Sequence, residues 1–565
     1  MNKKNILFLI IILLASAKIF AQGGSISGNF QMNMQTYSED TIIGAEKTPE
    51  KMLMNSYANI NYINGNFKAG VRYEGYFNPM QGYDAKTDGF GIPYRYLSYN
   101  TDGFDITVGN FYEQFGSGLI FRTYEDKNIG YDNAMEGLRV KANIYKGVYL
   151  KGIIGRQRYA FSKNEDGYSF VNNKGLIRGT DAEISVNEMF TKLESAKTKL
   201  TIGGGFISKY QKEQTQYVTI NDTTTLKLKI PENVAATSGR IMLSHGRFSL
   251  TGEYAYKFND PSADNNYIYK NGEGLIVNAT YSQKGFGVYL SAKRIDNMSF
   301  RSDRTANLKD LNINYLPDIS KNHTYALSAM YPYATQPNGE IGFQSEITYK
   351  IKKKSLLGGK YGTNLSLNFS QANSLNKKAI AEGIEIGQKG TLGYTSNYFE
   401  IGDEIYYRDL SLQIDKKINK KWKFSAVYQN QIFNFAVVRG EPDFEDVYTN
   451  IGVLDVTYKI KRKHSIRIEL QELITKQDMG DWAMALVEYT ISPNWFFALS
   501  DQYNYGNESQ NMRIHYYNTA FGYKKNATRL QLGYGKQRAG VVCVGGVCRS
   551  VPAANGFSFS INSSF

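Results

Sequence analysis

The densest group of residues able to select a solute lies between Gly109 and Arg139, where charged and aromatic side chains surround a glycine-rich break. Rings of charged side chains select solutes in pores by their charge. If this segment folds as a loop into a pore, its charged side chains would line a constriction. The four candidates are Arg122, Glu125, Asp126 and Arg139. The segment also fits a glycine-rich bend at the rim of a barrel, where these charges would pair among themselves.

The two cysteines of the chain, Cys543 and Cys548, are separated by Val-Gly-Gly-Val. An even pair in an exported protein favours a disulfide over a redox or metal site. The two glycines permit the tight hairpin that so short a closed loop requires. We therefore predict a disulfide in a loop just before the last strand.

The sequence has no recognisable catalytic motif. We find no HExxH zinc motif, no nucleophile elbow and no phosphate-binding glycine loop. The four histidines are scattered along the chain: His245, His323, His464 and His515. An acidic stretch at 441–446 offers oxygen ligands but lacks the ligand spacing of a calcium loop. We predict that the protein is not an enzyme and has no cofactor and no metal site.

The residues at the start of the chain predict export. Lys3 and Lys4 precede an apolar stretch, and residues 1–21 together resemble a secretory signal peptide that ends at Ala21. No later run of about 18 apolar residues follows, so a membrane-spanning helix is not expected. Any crossing of a membrane must then use strands. Without a linker or a shift in composition, residues 22–565 are predicted to form one domain.

Composition favours a β-barrel over a nucleic-acid-binding protein. The chain has 44 Tyr, 31 Phe and 53 Gly but only 11 Pro. Aromatic belts and alternating strands are typical of outer-membrane barrels. The net charge of +14 comes largely from lysines in turns. Contact with lipid headgroups is therefore expected, and binding of nucleic acid is not.

Period-two alternation of apolar and polar residues predicts the strands. It is clear at 67–77 and recurs at 248–258, 466–471 and 529–534. Tight turns are predicted at Asn64-Gly65, Lys146-Gly147, His245-Gly246, Lys284-Gly285 and Ser492-Pro493-Asn494. The pattern predicts an all-β fold, a large transmembrane antiparallel barrel of about 26 strands within a range of 22–26. A soluble β-protein of the periplasm or cell surface is the alternative fold.

The last and first predicted strands bear on how the barrel is assembled and on what can fill its lumen. The final strand ends on Phe565, which resembles the signal read by the barrel-assembly machinery. Strand-like alternation begins near Ser25, which leaves no room for a globular plug before the first strand. Because barrels of about 22 or more strands are normally plugged, we expect inward loops, a collapsed cross-section or a partner protein to fill the lumen.

Three phrases of the sequence resemble an uncharacterised family of Bacteroidota outer-membrane proteins. They are the phrase at 109–119, Arg122-Thr123-Tyr124-Glu125-Asp126, and the segment from Val542 through Arg549 to Ala554. The resemblance implies a β-barrel in the outer membrane of a Gram-negative bacterium. It implies no catalytic residue and no substrate.

Two functions follow from these features. The first is a pore, either a transport or an export channel, whose lumen is occluded by loops or by a partner. The second is a non-conducting scaffold or subunit of an outer-membrane secretion or assembly complex, in which a partner protein docks to the barrel.

The predicted disulfide can be tested directly. Cys543 and Cys548 of the exported protein should resist alkylation by iodoacetamide until a reductant is added, as read by mass spectrometry of the peptide that contains both. Alkylation of both thiols in unreduced protein would contradict the prediction.

Overall fold

The computed structural model describes residues 23–84, 87–164, 167–221, 224–306, 309–544 and 547–565; the side chains at 160–172, 220–224 and 542–548 lie outside this description. One antiparallel sheet of 24 strands dominates the chain. The sheet closes into a barrel because the last strand pairs with the first, from Asn29 opposite Ser564 to Gln35 opposite Ser558. The predicted fold class is thus confirmed, and the strand number lies within the predicted range.

The barrel strands, numbered in chain order, are β1 (Ser25–Thr36), β2 (Met52–Asn64), β3 (Phe67–Phe77), β4 (Gly89–Thr101), β5 (Phe104–Phe111), β6 (Met135–Tyr145), β7 (Val148–Asn164), β8 (Gly167–Ser185), β9 (Thr198–Tyr210), β10 (Asn233–His245), β11 (Phe248–Lys257), β12 (Gly272–Gln283), β13 (Phe286–Asp296), β14 (Glu340–Ile351), β15 (Thr363–Lys378), β16 (Thr395–Lys417), β17 (Trp422–Phe433), β18 (Val447–Lys461), β19 (His464–Ile474), β20 (Trp482–Ile491), β21 (Trp495–Tyr503), β22 (His515–Lys525), β23 (Thr528–Gln537) and β24 (Ala554–Ser564).

Short elements decorate the connections between these strands. Four small hairpins pair Gln114–Phe115 with Phe121–Arg122, Glu125–Asp126 with Tyr131–Asp132, Tyr217–Asn221 with Thr224–Lys227, and Gly540–Val544 with Val547–Val551. The described helices are Val186–Met189 and Phe435–Arg439, with 3-10 turns at Thr191–Leu193, Ala263–Asn265 and Gln510–Met512. Hairpins of this kind are strand-like in sequence but pair outside the barrel sheet, so a count from sequence can exceed the true number.

The two ends of the barrel differ. At one end, called the turn end, most strands are joined by connections of a few residues, and all five predicted turns lie there. Gly65 and Gly246 have φ of 55° and 59°, the left-handed values that two-residue hairpins require. The other end, called the loop end, carries long connections such as 112–134, 211–232 and 297–339.

The outer surface of the barrel is apolar along its middle. Outward side chains that are exposed include Val71, Leu97, Ile202, Leu290, Leu412, Leu470 and Leu532. Near the turn end, aromatic pairs form a belt: Phe67 with Tyr99, Tyr281 with Phe286, Trp422 with Tyr458 and Trp495 with Tyr523. An apolar band bounded by aromatic residues is the surface that outer-membrane barrels present to lipid.

Helices play no comparable part. Across the described portion of the chain, no helix has both the length and the apolar character needed to span a bilayer.

Neighbouring residues of β21 provide a matched test of the lipid-facing side. Leu499 points outward with 58% of its surface exposed, whereas Ser500 points inward opposite Asn518. Leu499→Arg should lower the free energy of unfolding in lipid vesicles by about 2–4 kcal/mol, because the charge would enter hydrocarbon. Ser500→Arg should change it by about 0.5 kcal/mol or less, as at a solvated surface. Equal losses in urea titrations of both variants would contradict the assignment.

Candidate functional site: the loops that fill the barrel

Two loop-end segments, 112–134 and 297–339, turn inward and pack in the lumen. We call them together the luminal plug. Phe115, Leu119 and Phe121 from the first segment are fully buried, and so is Ile313 from the second. They share one apolar core with inward side chains of the barrel wall: Ile153, Ile177, Ile207, Val234, Ala236, Ala255, Ile276 and Ile295. The hydrophobic effect therefore holds the plug against a wall that would otherwise line a wide, water-filled opening.

The two plug segments hold each other through backbone hydrogen bonds. The amide of Arg122 donates to the carbonyl of Ile313 at 2.9 Å, and the amide of Tyr315 donates to the carbonyl of Gly118 at 2.9 Å. The Asn314 side chain also donates to the Leu119 carbonyl at 3.1 Å. Because these bonds cross between the segments, the plug folds as one unit.

The later part of the second segment packs on the opposite wall. Leu327, Tyr331 and Tyr333 are buried there against inward residues of β16 to β20. Wall amides reach its backbone, since Gln431 donates to the Tyr331 carbonyl at 2.9 Å. Gln471 accepts from the Leu327 amide at 2.9 Å. These side chains satisfy backbone groups that would be costly to bury unpaired.

Three buried lysines of the wall anchor the second segment. Lys209 donates to the carbonyl of Arg301 at 2.7 Å, and Lys257 donates to the carbonyl of Ser299 at 2.5 Å. Lys293 donates to the carbonyl of Pro317 at 2.6 Å.

Two of these ammonium groups also meet a carboxylate. Lys209 lies 2.5 Å from Asp260, and Lys293 lies 2.5 Å from Glu340. A buried ammonium group is tolerated only when it is hydrogen-bonded or paired. The charged wall and the plug backbone therefore satisfy one another.

The first segment is anchored by a separate cluster of charges, which we call the arginine hub. Arg158 of β7 donates to Glu74 of β3 at 2.7 and 2.8 Å and to Asp132 of the plug at 2.6 Å. Arg72 of β3 lies 2.7 Å from Glu74 and 2.5 Å from Asp132. Arg72 also reaches Glu125 at 3.0 Å. The hub thus joins two wall strands to both strands of one plug hairpin.

The hub sets the charge of its two plug carboxylates differently. Burial alone would raise the pKa of Asp132, but Arg158 and Arg72 together hold it below its ordinary value. For Glu125, burial dominates and raises the pKa, although Arg72 opposes this shift. Asp132 is therefore the plug carboxylate whose charged form the two arginines favour, and it fixes the hairpin to the wall.

Burial along the strands shows how deep the plug reaches. In β18 the inward residues at the loop end are buried, namely Val447, Thr449, Ile451 and Val453. From Asp455 toward the turn end, the inward residues are partly or fully exposed. β10 repeats the pattern, with burial from Val234 to Arg240 and exposure beyond. The plug therefore fills the loop-end half of the lumen, and the turn-end half is a solvent-accessible vestibule.

The four residues predicted for a constriction lie in four different sets of contacts. Arg122 stacks over the rings of Tyr124 and Tyr315, 4.6 and 4.0 Å from their centroids. Glu125 belongs to the arginine hub, and Asp126 accepts from the amide of Asn128 at 2.9 Å.

Arg139 is the fourth of these residues, and it lies on the inner wall in β6. It donates to Asp105 at 2.8 Å and to Thr107 at 3.0 Å. The first three belong to the plug and Arg139 to the barrel, so the structure does not place the four in one ring.

The predicted cysteine pair lies in the loop-end hairpin before β24. Its backbone pairs Cys543 directly opposite Cys548. Their side chains lie outside the described residues, so the disulfide stays a prediction. Within the portion that the structure describes, no group of His, Cys, Asp and Glu could hold a metal ion.

Sequence reasoning missed the larger plug segment and its anchors. Residues 297–339 lack the alternation of apolar and polar residues found on either side. This interruption was the one sequence signal of a long segment outside the barrel wall. The buried lysines were not distinguishable from solvated ones, because their partners lie far along the chain. Lys209 and its partner Arg301 show this separation.

Fold and site together define a transmembrane β-barrel whose lumen is filled by its own loops. Residues 1–565 match the model of a protein family described as a family of unknown function, DUF6029. The chain belongs to this family. No curated protein matches it significantly.

Among solved structures, the chain is similar to several large barrels at low identity. The siderophore receptor PirA from Pseudomonas aeruginosa matches at 9% identity and a TM-score of 0.40, over 97% of this chain and 81% of that one. A variant of the ferric enterobactin receptor PfeA from Pseudomonas aeruginosa matches at 10% and 0.43, over 96% and 81%. The P pilus usher PapC translocation pore matches at 10% and 0.32, over 95% and 98%.

Removal of one hub guanidinium should loosen the plug. Arg158→Met leaves Glu74 and Asp132 short of a buried partner, a change that typically costs about 3–5 kcal/mol. We expect faster hydrogen exchange in residues 112–134, measured by mass spectrometry on the folded barrel.

Arg95 provides the matched control for this variant. It pairs with Glu136 at 2.8 Å but is 53% exposed, so Arg95→Met should cost less than about 1 kcal/mol. Unchanged exchange in Arg158→Met would show that the hub does not hold the plug.

Proposed function

We propose that this protein is a transport or export channel of a Gram-negative outer membrane, held closed by its luminal plug. One observation carries the proposal: the plug fills only the loop-end half of the lumen and leaves a solvent-accessible vestibule below it. A barrel with a closed outer half and an open inner half has the arrangement of a gated channel, because only the plug separates the two sides.

The asymmetry of the barrel supports its location and orientation. Outer-membrane barrels have short periplasmic turns and longer outer loops. By this rule the turn end and the vestibule face the periplasm, and the plug lies on the outer side. The apolar band, the aromatic belt and the signal peptide predicted at 1–21 support the same location. A Bacteroidota origin rests on the sequence resemblance alone.

The attachments of the plug support gating rather than free diffusion. Its contacts comprise two apolar cores, three lysine anchors and the arginine hub. Breaking all of them at once would cost far more than thermal energy supplies. Opening therefore needs a trigger, such as a partner protein at the vestibule or a ligand at the outer surface.

A scaffold of an envelope complex is the second candidate. The density of the plug attachments favours it, since a barrel that never opens would also keep such a plug. Purification from native membranes separates the two functions. A stoichiometric partner together with a silent bilayer recording would favour the scaffold.

Deletion of the larger plug segment tests the channel. Ile295 and Glu340 are paired across β13 and β14, so a short Gly-Ser linker can replace 297–339 without separating the strands. Lys209, Lys257 and Lys293 would then be exposed to water, which can accept their hydrogen bonds in place of the plug carbonyls. In planar bilayers we expect large, persistent conductance from this variant, and silence or brief openings from the wild type.

The control is an equivalent deletion outside the lumen. Lys378 and Thr395 are paired across β15 and β16, so residues 380–389 can be replaced by the same linker. Tyr394 is kept because its hydroxyl donates to the carbonyl of Asn338 in the plug at 2.8 Å. This variant should conduct like the wild type. A folded 297–339 deletion that stays silent would overturn the proposed channel.

A further inference from the structure

One sector of the vestibule wall has no charge at all. Charged residues make up 21% of the chain, yet β24, β1 and β2, which are neighbours in the barrel, contain no Asp, Glu, Lys or Arg. The next strand, β3, contributes Arg72 and Glu74 to the arginine hub. The charge-free sector is therefore continuous and sharply bounded on that side.

The inward face of this sector consists mainly of neutral hydrogen-bonding side chains. Inward orientation follows from the register, because directly opposed residues share a face and Asn59 is opposite Arg72. The set is Ser27, Asn29, Gln31, Asn33 and Gln35 on β1, Ser558, Ser560, Asn562 and Ser564 on β24, and Asn59 and Asn61 on β2. Amides and hydroxyls both donate and accept hydrogen bonds, so this wall can bind other neutral polar groups as a donor or as an acceptor.

The sector is accessible from the vestibule. Toward the turn end, Ser27, Asn29, Asn562 and Ser564 are exposed, and farther along the strand Gln31 and Asn33 are partly exposed. The two large apolar cores of the plug involve wall residues from β5 to β22 and none from β24, β1 or β2. Among the described residues, these plug cores thus leave the neutral side chains uncovered, and the plug meets β2 at Tyr57, where Lys127 lies 4.4 Å from the ring centroid.

A row of tyrosines borders the sector. Tyr96 and Tyr94 of β4 have ring centroids 6.0 Å apart. Tyr94 stacks on Tyr112 at 5.3 Å with an interplanar angle of 19°. The Tyr96 hydroxyl donates to Asn61 of the neutral sector at 3.2 Å. All three rings are partly exposed, and the row leads from the vestibule wall to the first residue of the plug.

We propose that the neutral sector and the tyrosine row form a binding track for a neutral, polyhydroxylated oligomer, that is, an uncharged oligosaccharide. This inference rests on the proposed channel and names its substrate class. Hydroxyl groups match the amide wall, and the flat apolar face of a sugar ring matches the partly exposed ring of Tyr96 at the border of the sector. An anionic solute would find no cation on β24, β1 or β2.

An extended peptide fits the track less well. Recognition of a peptide strand uses backbone hydrogen bonds at a sheet edge together with pockets for alternate side chains. Here the barrel is closed, so the sector offers no free edge, and its inward face consists mainly of short polar side chains rather than apolar pockets. The observations therefore favour the sugar.

The test measures binding without transport. The full chain is purified in a zwitterionic detergent that lacks a sugar headgroup, and binding of maltohexaose, of an oligogalacturonate of equal length and of a neutral Gly-Ser peptide is measured by calorimetry. The track variant is Gln31→Glu/Asn33→Asp/Asn562→Asp. A control variant places three acids on another stretch of the inner wall: Ser249→Asp/Thr251→Asp/Asn278→Asp. Circular dichroism confirms that each variant is folded.

We expect maltohexaose to bind and oligogalacturonate to bind at least tenfold more weakly. The track variant and Tyr96→Ala should each weaken maltohexaose binding at least tenfold, and the control variant should not. Absence of maltohexaose binding, or binding unaffected by the track variant, would overturn the inference. Equal or tighter binding of the peptide would also overturn it. None of these results depends on conductance, so failure here is distinguishable from failure of the channel.

Discussion

The burial of wall lysines under plug carbonyls is the interaction on which the closed barrel depends. Lys209, Lys257 and Lys293 point into the lumen from three different strands, and each meets a backbone carbonyl of 297–339. A carbonyl accepts the hydrogen bond without removing the charge, and carboxylates close to Lys209 and Lys293 balance it there. The apolar cores could hold many loops in place, whereas the lysines specify where this one must lie.

The same constraint explains why the plug is built from two connections. One loop would have to cross a 24-stranded lumen and satisfy all of its backbone groups alone. With two, each segment supplies partners for the other, as between Arg122 and Ile313. The wall then needs to supply fewer polar groups, and those it supplies are specific: the arginine hub for the first segment and lysines and glutamines for the second.

Much of the fold could be predicted from the sequence, because alternation and turn glycines are local signals. The pattern at 67–77 corresponds to β3, and Gly65 and Gly246 correspond to tight turns. The plug could be predicted only in part. The glycine-rich break in 109–139 fitted an inward loop or a bend at the rim, and the partners of Glu125 and Asp132 lie on β3 and β7. Glu125 and Arg139 are close in sequence yet belong to different clusters, which no local pattern reveals.

The closing seam between β1 and β24 has a consequence for how the barrel is made. These strands are the first and last of the sheet, so they can close the barrel only after the strands between them have paired. Until then two open edges face the membrane, where unpaired backbone groups are costly. Neither edge strand carries a charged side chain, so the open edges do not add the free-energy cost of placing a charge next to lipid. The uncharged seam is thus suited to be the part of the wall that joins last.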